Sequence, residues 1–161
     1  MPRRESVPEP APQTPERHET WEWSVRSITS ETHPNRNEDA VLVDSEHGVA
    51  GVFDGMGGHA YGDEASRAAA AAIQRALIAW EPVTDEDDSS ILRESLANLL
   101  RGAHRRVLDL GDELYRERYQ KLPENEKKAY RAPQTTAVMA MVHRFSDGHS
   151  VLAVAHAGDS R

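Results

Sequence analysis

The sequence predicts an α+β domain. Three observations point there: two pairs of short strand-like runs each joined by turn residues, two long helix-periodic stretches between those pairs, and no regular strand–helix alternation of the kind that builds a parallel sheet.

Taken in order, the chain begins with a segment that offers little to fold. Five of the nine prolines fall within the first fifteen residues, among Glu, Arg, Ser and Thr, so residues 1–20 are expected to be a disordered Pro-rich tail. Residues 21–161 are then the folding unit, long enough to bury a core. Residues 21–28, from Trp21 to Ile28, alternate apolar and polar and read as a half-buried strand. The runs 40–43 and 48–53 are separated by Asp44-Ser45-Glu46-His47, which has turn composition, so they read as a hairpin. From Asp63 to Trp80 an Ala-rich stretch carries Ile73, Leu77 and Ile78 at helical spacing. Pro82 and the acidic run Asp85 to Asp88 interrupt it as a solvated loop. Ser89 or Ser90 is placed to cap a second helix whose apolar stripe includes Ile91, Leu92, Leu96, Leu99, Leu100, Ala103 and Val107, and Gly111 weakens its extension towards Tyr119. Residues 123–133 read as a loop or short helix. Residues 135–142 and 151–157 form a second hairpin across Ser146-Asp147-Gly148-His149.

Charge and composition exclude several classes. Nineteen Lys and Arg stand against twenty-seven Asp and Glu, a net charge of −8, which argues against a nucleic-acid partner. The absence of cysteine excludes thiolate metal sites, disulfide scaffolds and a cysteine nucleophile. No run approaches the ~20 apolar residues of a membrane span, and the start lacks a signal-peptide core, so the expectation is a cytoplasmic monomer with no membrane partner.

Hairpin geometry places acidic residues together. The start of the first strand lies beside the end of the second, so Glu38 and Asp39 are expected to meet Asp54. The second hairpin brings Gln134 and Thr135 beside Gly158-Asp159-Ser160 in the same way. If the hairpins lie side by side, the two ends make one acidic, Gly-lined rim. Carboxylates converging there repel one another unless a cation neutralises them. Oxygen donors without thiolates suit Mg²⁺ or Mn²⁺, and two such ions acidify and orient water for attack on phosphorus. Each feature also has a plain structural reading. Asp-Gly after a strand commonly makes a turn, Asn-Glu-Asp before a strand serves as a solvated edge, and Gly55 to Gly58 matches neither a Walker loop nor a dinucleotide fingerprint.

The ordered set Asn37-Glu38-Asp39, Val52-Phe53-Asp54-Gly55-Met56-Gly57-Gly58-His59, Thr135-Thr136-Ala137 and Ala157-Gly158-Asp159-Ser160-Arg161 resembles the N-terminal half of a metal-dependent Ser/Thr protein phosphatase of the PPM, or type 2C, family. The resemblance implies a β-sandwich flanked by helix pairs in α-β-β-α layers, here incomplete at its C-terminal end. It implies that Asp54 bridges two Mg²⁺ or Mn²⁺ ions, that the Gly55 carbonyl is a further ligand, and that Glu38 and Asp39 hold metal directly or through water. Thr136, Asp159 and Ser160 take supporting places around the centre. The implied reaction is hydrolysis of phosphoserine and phosphothreonine in proteins by a metal-activated water, within a Ser/Thr kinase pathway. The sequence departs from the pattern at three points. Pro34 stands where many members carry a phosphate-binding Arg, leaving nearby Arg36 as the candidate phosphate contact. Met56 stands where some members place a proposed general-acid His, leaving His59 as the candidate acid. The later Asp-containing motifs lie beyond Arg161, so weak metal binding and impaired activity are expected of this chain. A non-catalytic phosphatase-like binding module and a non-functional fragment are the alternative readings.

Overall fold

The structure is a computed structural model that describes residues 22–29, 37–56, 61–81, 83–84, 89–127 and 131–160. The chain runs β1 (Asp39–Asp44), β2 (Val49–Asp54), α1 (Gly62–Ile78), α2 (Ser90–Glu117), a single 3-10 turn (Tyr119–Lys121), α3 (Glu124–Lys127), β3 (Ala137–Arg144) and β4 (Ser150–Ala157). All four strands lie in one antiparallel sheet of order β1-β2-β3-β4. The hairpins therefore sit side by side, joined where Val49 to Val52 pair with Met141 to Val138.

Each hairpin turn has a local cause. Between β1 and β2, Asp44 Oδ1 accepts from the His47 backbone N–H at 3.0 Å and lies 2.9 Å from the His47 ring Nδ1, while Trp80 stacks on that ring at 6.2 Å. Gly48 closes the turn at φ +63°, and a Cβ there would stand 2.3 Å from the Val142 carbonyl oxygen. Only glycine meets both conditions without strain.

Strand alternation then divides the sheet into two faces. Leu42, Val49, Phe53, Met139, Met141 and Ala153 point to the buried side, where Ala69, Ile73 and Leu77 of α1 and Leu92, Leu96, Leu99 and Ala103 of α2 complete one continuous core. α1 packs over β1 and β2, and α2 over β3 and β4. On the other face Val41, Val52, Leu152 and Val154 are exposed. The described residues thus form one sheet layer and one helix layer. The second sheet and second helix layer of the expected sandwich are not among them.

Four local expectations are corrected. Residues 22–29 carry no regular secondary structure and pair with no strand among the described residues: Val25 and Ile28 are exposed, and residues 24–28 share a shallow cavity with Asp39, Val41 and Val52 on the outer face. Alternation supplies an amphipathic pattern, but a strand also needs a neighbour to receive its N–H and C=O groups. α2 does not weaken at Gly111, because Leu110 and Leu114 on either side are buried and the lost helix propensity, about 1 kcal/mol for glycine, is offset by that packing. Ser89 takes the N-cap position of α2 but makes no side-chain cap bond, since its backbone is already helical at φ −62°, ψ −10°. Thr135 and Thr136 precede β3, Thr135 forming an isolated bridge to Gly55. The tail 1–20, Trp21 and the acidic run Asp85 to Asp88 lie outside the described residues.

Phe53 is fully buried at the centre of the core. Phe53→Ala is expected to lower stability by about 3–5 kcal/mol, read as a fall in the urea midpoint at constant slope; a loss under 1 kcal/mol would show that the core is not organised around this ring.

Candidate functional site

The joined hairpins bring their chain ends together at one edge of the sheet. Asp39 and Asp54 are directly opposite as the last pair of β1 and β2, on the exposed face. Beyond them the backbone stays tied together: the Gly55 N–H donates to the Glu38 carbonyl at 3.1 Å and the Met56 N–H to the Gln134 carbonyl at 3.0 Å. The Asp54 carbonyl accepts two hydrogen bonds from the other hairpin, from the Thr136 N–H at 2.8 Å and from Thr135 Oγ1 at 2.9 Å. The second hairpin is closed on itself by Thr136 Oγ1 and Ser160 Oγ, 2.5 Å apart.

Helix α1 abuts this rim. A Cβ on Gly55 would stand 2.2 Å from the Gly62 carbonyl oxygen and 2.7 Å from that of Glu38, so the close approach of helix start and strand end requires glycine. Tyr61 precedes α1 at φ +94°, a strained conformation for a non-glycine residue, with Arg118 over its ring at 5.1 Å and Arg118 Nη1 donating to Glu64 Oε1 at 3.0 Å. Buried Ser66 in α1 donates to the Glu38 carbonyl at 2.6 Å, fixing the helix to the entry of β1. On the other side Asn37 Oδ1 accepts from the Asp39 N–H at 3.0 Å and Asn37 Nδ2 donates to Ser27 Oγ at 2.7 Å.

Negative charge converges on Asp54. Its carboxyl is held above the ordinary carboxylate range first by partial burial, then by the Asp39 and Asp159 charges, and by a hydrogen bond with Asp39. These are the desolvation and like-charge effects expected where carboxylates crowd without a cation. Neighbours in an extended chain point to opposite sides, so only one of Glu38 and Asp39 can face Asp54, and the register gives that place to Asp39. Among the described residues no three His, Asp or Glu side chains are grouped so as to hold one metal ion.

The order of these groups along the chain is the order of a known family: a model for protein phosphatase 2C matches residues 30–161. The chain belongs to the protein phosphatase 2C family. No curated protein is similar enough to the chain to count as a match. Membership brings phosphatase chemistry on phosphoproteins in general, in a family that is generally metal-dependent. No described helix is long and apolar enough to cross a membrane.

Within this phosphatase 2C domain the expected rim residues fall as follows. Asp39, Asp54 and Gly55 come together, Thr136 and Ser160 bond to each other beside them, and Asp159 is near enough for its charge to act on Asp54. Glu38 contributes a backbone carbonyl to two hydrogen bonds. Arg36, Gly57, Gly58 and His59 lie outside the described residues. One feature escaped the sequence: Ser66 as the tie from α1. Ser66 sits beside an Ala run that reads only as close helix packing, and a lone polar residue on that buried stripe was the available signal.

Because the folded protein disfavours ionised Asp54, that residue lowers stability above its raised pKa and ceases to do so as pH falls below the ordinary carboxylate value. In cation-free buffer Asp54→Asn is therefore expected to raise the melting temperature at pH 7 and to lose that advantage on acidification; a lower melting temperature at pH 7 would contradict the charge cluster. Gly55→Ala is expected to lower stability by about 1–3 kcal/mol, seen by urea unfolding, with unchanged stability showing that α1 does not press on the rim.

Proposed function

We propose that this chain is a Mg²⁺- or Mn²⁺-dependent protein serine/threonine phosphatase domain, hydrolysing phosphoserine and phosphothreonine esters in proteins, with Asp54 at its centre. The observation that carries the reading is the convergence of Asp39 and Asp159 on Asp54, whose carboxyl is raised first by desolvation and then by those two charges.

The donor set fits a hard divalent cation in chemistry and charge. Asp39 and Asp54 face each other as oxygen donors, and their repulsion is of the kind a cation relieves. Asp54, Asp39 and the Gly55 carbonyl are the groups assigned to hold it, with Glu38, turned away from Asp54 by the register, assigned through water. When bound, Mg²⁺ or Mn²⁺ supplies positive charge and an acidified water for attack on phosphorus. The chain's own part is positioning. The two bonds from Thr135 and Thr136 to the Asp54 carbonyl hold that backbone, and Gly55 lets α1 close behind it. Thr136 and Ser160 anchor the turn that carries Asp159. Arg36 is assigned to the substrate phosphate and His59 to protonation of the leaving oxygen, by their places in the family pattern. With few protein donors in this set, cation affinity and turnover of the 161-residue chain are expected to be low.

Titration of the chain with Mn²⁺, followed by water-proton relaxation, is expected to show weak binding that Asp54→Asn reduces at least about tenfold, roughly 1.4 kcal/mol. A phosphothreonine peptide with Mn²⁺ is expected to be cleaved slowly by the chain and not detectably by the variant. The stability measurement above separates lost affinity from lost folding. Unchanged Mn²⁺ affinity in Asp54→Asn would overturn the assignment.

A further inference from the structure

Around the corner from the acidic rim, α2 gathers positive charge. Arg101, His104 and Arg105 stand at i, i+3 and i+4 and so share one helix face. With Asn98, Leu100 and Ala157 they line an open cavity of about 570 Å³ between α2 and the end of β4. In a chain of net charge −8 this cluster runs against the background. Among the described residues the Arg101 guanidinium bonds the neutral Asn98 side chain and no carboxylate. Among the described residues Arg105 and His104 have no ion-pair partner, and Asp109, one turn beyond Arg105, does not pair with it. Three cationic or ionisable donors therefore face a groove without a carboxylate to answer them.

The position of the groove matters as much as its charge. Ala157 lies on the helix-facing side of β4, in alternation with buried Ala153, and Asp159, whose charge acts on Asp54, is two residues further on. Two residues span at most about 7 Å, so groove and rim are neighbours along one short stretch of chain.

We propose that this groove binds acidic side chains of the protein substrate that flank its phosphorylated residue. The inference rests on the phosphatase reading for the role of the rim, but the groove's affinity for an acidic segment stands on its own geometry. Arg101 and Arg105 present fork-shaped donors suited to carboxylates, and Leu100 and Ala157 give an apolar wall for the side-chain stem. The groove also offsets a rim whose three aspartates repel an anionic peptide, steering its flank to the helix side. The selectivity that follows is for phosphosites with acidic residues within about two to four positions, the length of extended chain that joins the two places.

The test uses the intact 161-residue chain and two labelled, unphosphorylated peptides, one carrying three Glu and the other Gln in their place, with binding read by fluorescence anisotropy at low salt. The Glu peptide is expected to bind about five- to tenfold tighter, as two or three exposed charge contacts allow. The preference should fade as salt shortens the screening length, vanish in Arg101→Gln/Arg105→Gln, and survive in Arg75→Gln on α1. Equal binding of both peptides, or a preference that persists in the double variant, overturns the proposal. Should the double variant lose its thermal transition, Arg105→Gln alone decides on the same criterion. No phosphate ester is present, so a chain without phosphatase activity still reports on the groove, and failure here leaves the Mn²⁺ result at Asp54 untouched.

Discussion

The pairing of β2 with β3 is the constraint on which the rest of the molecule depends. It joins two hairpins that are separated in sequence by both long helices, through the four residue pairs from Val49–Met141 to Val52–Val138. Each hairpin alone is a marginal two-stranded unit; joined, they form a sheet wide enough to carry α1 on one half and α2 on the other. The same pairing extends past the strand ends, through the Gly55–Thr135 bridge and the bonds to the Asp54 carbonyl, so core and rim are parts of one ladder.

That ladder explains why the acidic end tolerates its own repulsion. Asp39 and Asp54 are last in register, and the backbone beneath them is held by hydrogen bonds from three directions: Glu38 to Gly55, Asp54 to Thr136, and Glu38 to Ser66. A carboxylate pair on a free loop would separate to relieve its electrostatic energy. Here the separation would break backbone bonds, so the repulsion from Asp39 and Asp159 stays and adds to desolvation in raising the Asp54 pKa. On the proposed reading, a cation would relieve this repulsion, and the Arg101 and Arg105 groove would give an acidic substrate an approach that the rim opposes.

Much of this was legible from residues alone because the signals are short-range. Turn chemistry at 44–48 and 146–149, helical spacing of Ile73 and Leu77, and the apolar stripe of α2 each depend on neighbours a few positions away. That the Glu38-Asp39 end of β1 meets Asp54 was legible for the same reason, since a hairpin brings the start of one strand beside the end of the next. The 22–29 segment shows the limit. Its alternation is that of a strand, yet the described residues offer it no partner edge, and residues 24–28 instead share a shallow cavity with Val41 and Val52. The Gly111 expectation shows another, because local propensity lost to the burial of Leu110 and Leu114, which only packing against the sheet supplies.

The sequence by itself determined the element order, the two hairpins and the carboxylate at each strand end, which are written in local spacing and composition, and its motifs carried the resemblance to the family that the family model shows. Only the tertiary structure decided that the hairpins share one sheet, that Asp39 rather than Glu38 faces Asp54, that Asp159 adds its charge from the second hairpin, and that Arg101 and Arg105 open beside Ala157. The physical reason is distance along the chain: contacts between residues some hundred positions apart, such as Asp54 and Asp159, are chosen by burial of the shared core, and no local pattern encodes that choice.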